Sequence, residues 1–280
     1  MLPMTDLATG PGPAAGTALL SAAGDGVDRH LSDLLATAAN GAPACYLADP
    51  GAARAACEGG SDPVLYTAHR DILPPTRALG AEWFADLCVY RPGWLPGGEL
   101  NRSIGHWNTP AQLEVFEVLS GRVLMITAWH DPSGAPVLNW QACGPGDLVA
   151  VPFGAWHQTS VLEGPATVFN IYTDLPGTEQ QHTSRHAAQH AEVKYRSSAP
   201  VEITAIRAEA GFTLTGSRYG RDHWGRGVRA VESAWLREAV GPDGLVALHT
   251  SACAEQVARL VNAVRAHLPQ AQPRPEGGRR

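Results

Sequence analysis

Two short segments constrain this chain more than anything else in it. The first runs His106-Trp107-Asn108, then five residues to Glu114 and six more to Gly121; the second runs Gly146, five residues, Pro152-Phe153-Gly154, two residues, His157. In a strand, residues two apart share a face, so His106 and Asn108 point the same way. On the following strand Glu114 shares a face with Phe116 and Val118, and Glu117 is expected on the opposite, solvent-facing side. Gly146-Asp147 opens a further strand, Pro152-Phe153-Gly154 closes it, and His157 begins the next. Gathering His106, Glu114 and His157 requires a rolled sheet. Two imidazoles and a carboxylate with positions left open suit one divalent transition metal (iron, manganese, nickel or zinc) used for catalysis. Asn108 is a candidate fourth ligand through its amide oxygen, or leaves that position to water or substrate.

The rest of the pattern agrees with such a sheet. Strand-like segments fall near residues 64–68, 83–90, 103–107, 113–119, 123–129, 137–142, 148–151, 157–162 and 166–172. Turn signals separate them, among them Pro96-Gly97-Gly98, Ser120-Gly121, Gly144-Pro145-Gly146 and Glu163-Gly164-Pro165. Many short strands with little helix between them imply an all-β core, an antiparallel barrel or jelly roll. The expected organisation is a mobile leader over 1–25, an N-terminal helical segment over 26–62, the β core over 63–176 and a linker or loop over 177–200. A mixed α/β C-terminal extension over 201–268 and a frayed tail over 269–280 follow. Within these, 26–38, 47–60, 229–240 and 252–268 read as helices, and 201–207, 211–216 and 244–248 as strands.

Charge and cysteine usage exclude several classes. Acidic residues outnumber basic ones 27 to 21, and no basic run stands out, which argues against nucleic acid as a partner. No segment approaches the roughly 20 apolar residues of a bilayer span, so no membrane partner is expected. Five scattered cysteines without a CxxC read as reduced thiols, consistent with a cytoplasmic location. His130, beside a turn, is expected to be exposed, and His182, His186 and His190 to lie in a solvated polar stretch. The run from Arg221 to Arg226, which contains His223 and Trp224, mixes charge with aromatics, as either a contact surface or a cap on a core.

The stretch over 63–176 resembles the cupin superfamily and, within it, the metal-dependent cupin-type glucose-6-phosphate isomerases. The two segments above carry the cupin spacing. The narrower likeness rests on Asp62-Pro63-Val64-Leu65-Tyr66, on Asp86 to Gly93, on Gly97-Gly98-Glu99-Leu100-Asn101-Arg102-Ser103-Ile104-Gly105-His106, and on Ile171-Tyr172. The resemblance implies a cupin jelly-roll barrel, a metal on His106, Glu114 and His157, and Glu114 as a proposed catalytic base. It also implies a pocket lined by Ser103, Gly105, Phe116 and Cys88. The family reads His-x-His where this chain has His106-Trp107-Asn108, and Phe116, Cys88 and Ser103 stand where it carries one tyrosine and two threonines. Fold and metal therefore carry over more directly than the sugar-phosphate contacts.

Three functions fit these readings. The leading one is a metal-dependent isomerase, or a related proton-transfer enzyme, acting on a small polyhydroxy or carbonyl substrate. The second is an iron(II) oxygenase, because two imidazoles and one carboxylate with open faces admit oxygen as well as substrate. The third is a non-catalytic cupin that binds a small molecule. Such barrels commonly pair through their edges, so a homodimer is expected by analogy.

Overall fold

The computed structural model describes residues 13–37, 43–108, 112–174, 200–209, 211–251 and 254–268. The chain is mainly β, with twelve strands among these residues. They are β1 (Val27–His30), β2 (Val64–His69), β3 (Thr76–Ala78), β4 (Ala81–Tyr90), β5 (His106–Trp107), β6 (Gln112–His130), β7 (Pro136–Cys143), β8 (Leu148–Val151), β9 (Trp156–Asp174), β10 (Ile203–Ala208), β11 (Gly211–Gly216) and β12 (Val228–Arg229). Ten form one mixed sheet with the path β1-β2-β4-β9-β6-β7-β12, while β3 adds to β4, β5 to β9 and β8 to β6; β10 and β11 make a separate hairpin. The path is open: no pairing among the described residues joins β1 to β12, so the expected closed barrel is not what this sheet forms.

Two pairs of expected strands turn out to be continuous. Residues 113–119 and 123–129 both belong to the 19-residue β6, and 157–162 and 166–172 to the 19-residue β9. The turn signals between them mark bends: the β6–β9 register shifts three times between Val118 and Val123. Gly121 sits at the bend with φ 71°, where an added Cβ would lie 2.5 Å from the Pro165 carbonyl. Only glycine combines that backbone angle with that close an approach.

The bend divides the sheet into two layers. The first contains β8, residues 112–118 of β6, 168–174 of β9, β4, β2 and β1; the second contains residues 123–130 of β6, 156–161 of β9, β7, β5 and β12. Their inner faces share a core, in which Tyr66, Phe116 and Val118 of the first layer join Met125, Trp129 and Val161 of the second. Their outer faces are covered too. Helices Ala234–Val240, Gly244–Ser251 and Ala254–His267 bury Leu236, Leu245, Leu260 and Val264 against Leu113, Val115 and Phe169 of the first layer. The β10–β11 hairpin and helix Arg218–Trp224 bring Val201, Ile203, Ala205 and Trp224 to Leu124, Ile126 and Ala128 of the second. Fully burying one such side chain is worth about 1.5–3 kcal/mol, so the C-terminal region is part of the core.

This coverage overturns four expectations. Glu117 is 1% exposed, not solvent-facing: its Oε2 accepts the Leu245 N–H at 2.7 Å, at the start of helix Gly244–Ser251. Burial pushes its carboxyl above the ordinary range. Residues 244–248 belong to that helix rather than to a strand, because every residue from Gly244 to His249 is buried and a short run apolar on all sides has no period to read. The helix expected over 26–38 is not one helix among the described residues 26–37: Val27–His30 pairs with β2, and only Leu31–Leu34 is α-helical there. His130, 9% exposed, is covered by helix Arg218–Trp224 and packs on Trp224. A helix, Pro13–Ala22, also falls within the expected leader, and its Leu19 is fully buried. His182, His186, His190, the linker apart from Pro200 and the tail lie outside the described residues.

Candidate metal centre

The three ligand candidates come from both layers and meet between them. His106 on β5 pairs in register with His157 on β9, both in the second layer. Glu114 on β6 lies in the first layer, opposite Tyr172 on β9 and Val151 on β8. Trp107 packs outward against Trp224, so alternation along the chain turns His106 and Asn108 inward. The Nε2 atoms of His106 and His157 are 3.3 Å apart, and His157 Nε2 is 3.1 Å from Glu114 Oε2. The ligating atoms of all three residues lie within 4.8 Å of one another. Glu114 and His157 are nearly inaccessible, and His106 is half-buried.

Polar side chains missed by the sequence reading hold this geometry. Asn170 Nδ2 donates to Glu114 Oε1 at 2.9 Å, and Gln112 Nε2 donates to Glu114 Oε2 at 3.3 Å. Both follow from strand alternation: Gln112 precedes Glu114 by two residues, and Asn170 faces Phe116 in the β6–β9 register. Asp86, one strand further along, pairs with Asn170, is fully buried, takes the Arg70 guanidinium on one oxygen and accepts the Asp71 N–H at 3.0 Å on the other. Burial raises its carboxyl from the ordinary range, against the opposing pull of Arg70. Cross-strand period alone would have found Gln112; Asn170 and Asp86 needed the β9 register.

The other site candidates separate. Phe116 packs tilted beside His157 with ring centroids 5.2 Å apart and so lines the centre. Ser103 is held at the strand margin, where its Oγ accepts the Thr159 N–H at 3.0 Å. Gly105 serves packing: at φ 76° an added Cβ would lie 2.5 Å from the Trp156 ring. Cys88 shares the inner-face row of Val168, and burial pushes its thiol up to about 11, which keeps it a neutral thiol. Glu99, from the Gly-Gly-Glu run, lies elsewhere. It is fully buried, pairs with fully buried Arg102, and accepts from Thr204 Oγ1 at 2.6 Å and Ala48 N–H at 2.9 Å, tying three chain segments together.

The donor set fits a transition-metal ion. Two imidazole nitrogens and a carboxylate oxygen converge from opposing layers, and amide donors fix the carboxylate. Asn108 adds an independent sign. It is 5% exposed, yet neither polar atom of its side-chain amide has a hydrogen-bond partner among the described residues, although its backbone N–H donates to Ala155 O at 2.9 Å. An unpaired buried amide costs about 1–3 kcal/mol, a cost characteristic of sites that take a polar ligand.

No family model matches the chain, and no curated protein matches it. Among solved structures it is distantly similar to a sugar phosphate isomerase of the cupin superfamily from Silicibacter pomeroyi, 17% identical over 62% of this chain and 86% of that one, with a TM-score of 0.28. A variant oxalate decarboxylase from B. subtilis is 19% identical over 46% of this chain and 33% of its own, TM-score 0.28. Peruvianin-I, a cysteine peptidase from Thevetia peruviana latex, is 18% identical over 34% of this chain and 53% of its own, TM-score 0.26. The chain thus spans a third to about half the length of the last two. No helix among the described residues is long and apolar enough to cross a membrane.

Proposed function

We propose that the chain is a metal-dependent enzyme that moves a proton on a small polyhydroxy or carbonyl compound, as an isomerase of cupin type would. The convergence of His106, Glu114 and His157 carries this reading. A bound divalent ion supplies a Lewis acid that polarises a carbonyl or hydroxyl oxygen. His106 and His157 contribute neutral Nε2 lone pairs, which places their ring protons on Nδ1. Glu114 is the proposed proton carrier and a ligand; Asn170 and Gln112 hold its two oxygens in one orientation, so the carboxylate needs no reorganisation before it acts. Asn108, Gln112, Thr127, Thr159 and Asn170 are buried polar groups on or beside the strands that carry the three residues, a composition suited to a hydroxylated substrate. Phe116 adds an apolar ring beside His157.

Metal analysis of the protein beside its His157→Ala variant tests this. About one equivalent more of a first-row transition metal is expected in the parent than in the variant; equal contents in both would sink the reading. Interconversion of aldose and ketose sugars or sugar phosphates, assayed under nitrogen, then tests the reaction class. Asn108 in place of a third imidazole favours a second reading, an iron(II) oxygenase, because that ligand set leaves a face open to oxygen. Oxygen uptake dependent on iron(II), with no turnover under nitrogen, would select it.

A further inference from the structure

A second pair of imidazoles meets in this molecule away from the centre above. His130 ends β6, and His223 lies on helix Arg218–Trp224 of the C-terminal region. Their Nε2 atoms face each other at 3.0 Å. Aromatic rings fix both planes: Trp224 lies against His130 with centroids 5.1 Å apart and edge-on to His223 at 4.8 Å, and Tyr219 stacks on His223 at 5.2 Å and 11°. His130 is nearly buried and His223 half-buried.

We propose that His130 and His223 form a two-imidazole site for a borderline divalent ion of the zinc class, which clamps the C-terminal helix to the end of β6. Two nitrogens bound at zinc distances with tetrahedral angles stand about 3.3 Å apart. The Nε2 separation here is a few tenths shorter, and the His106–His157 pair already stands at 3.3 Å. Without an ion, the two rings share one proton and must hold opposite tautomers; with an ion, both present lone pairs and both carry their protons on Nδ1. Water completes the coordination of the ion. Because one ligand comes from the β layers and the other from the extension, the ion binds only when the two are docked.

Zinc titration by calorimetry tests this in a background that lacks the first centre. The protein carrying His157→Ala is expected to bind about one zinc per chain, and the same protein with His223→Gln added about one fewer. The pair His157→Ala and His130→Gln gives a second, independent removal of one ligand. Zinc is also expected to raise the melting temperature of the His157→Ala protein and to leave both double variants unmoved; melting without zinc establishes that each is folded. Equal zinc binding and equal zinc-dependent melting in the single and double variants overturn the site. This outcome is independent of the first centre, whose failure would leave wild type still binding zinc through His130 and His223.

Discussion

Glu114 and Glu117 stand three residues apart on one strand, both are nearly inaccessible, and their surroundings differ completely. Glu114 faces the space between the layers, where Asn170, Gln112 and His157 meet its oxygens. Glu117 faces outward into the helices: one oxygen takes the Leu245 N–H, and the other has no hydrogen-bond partner among the described residues. The inner carboxylate stands with two imidazole nitrogens, and the three together suit a cation. The outer one sits at a helix start, where the unpaired N–H groups and the dipole favour negative charge. Burial alone therefore says little about what an acidic side chain does; the donors that reach it decide.

Substitutions can separate the two faces. The largest effect is expected from Glu114→Gln, which keeps the shape and removes the charge: in a His223→Gln background bound metal should fall by well over tenfold, read by metal analysis, with little change in the melting temperature of the metal-free protein. Next, Asn170→Leu frees one oxygen of Glu114 and should weaken metal affinity roughly 10- to 100-fold, the usual effect of losing a group that orients a ligand, measured by competition with a chelator. On the outer face Glu117→Ala should leave metal content unchanged but cost about 1–3 kcal/mol in denaturant unfolding, because a buried N–H is left unpaired. Gly244→Ala should cost about 1–3 kcal/mol, since Gly244 holds φ 80° and a new Cβ would lie 2.7 Å from Glu117 Oε1. A Glu117→Ala protein that lost its metal would break the separation between the faces.

The smallest expected effect is a pH slope. Burial raises the Glu117 carboxyl, so the folded chain binds that proton more tightly than the unfolded chain. Its contribution is fully present below the ordinary carboxylate range and is lost as pH rises through the raised value. Glu117→Gln should remove that decline, and a difference curve of unfolding free energy between about pH 4 and pH 7 checks it. The buried Asp86 is raised in the same direction, but it is present in both proteins and cancels in the difference.

Much of the centre could be read from the chain because strand alternation and motif spacing are local. His106, Glu114 and His157 needed only the assumption of a rolled sheet, and Phe116 followed from its parity with Glu114. What escaped was non-local. Glu117 was placed in solvent because alternation gives a side of the sheet but not what covers that side; the cover begins more than 110 residues later. Asn170 and Asp86 carry no motif and become neighbours of Glu114 only through the β9 register. The bends at Ser120-Gly121 and Glu163-Gly164-Pro165 were read as strand ends because glycine and proline mark either, and only pairing on both sides of the bend distinguishes them. Glu99 carries part of the family likeness in the sequence without a stated role, and its partners Arg102, Thr204 and Ala48 give it a fastening one.

The division of ligands between the layers has a thermodynamic corollary. Imidazoles from one layer and an acid from the other form a set only while the sandwich is assembled, so an occupant of the centre distinguishes folded from unfolded chains. By mass action its free concentration then sets resistance to unfolding, by about 2.7 kcal/mol at a hundredfold excess over the dissociation constant. The same chain would thus be sturdier in a metal-replete cell than in a starved one.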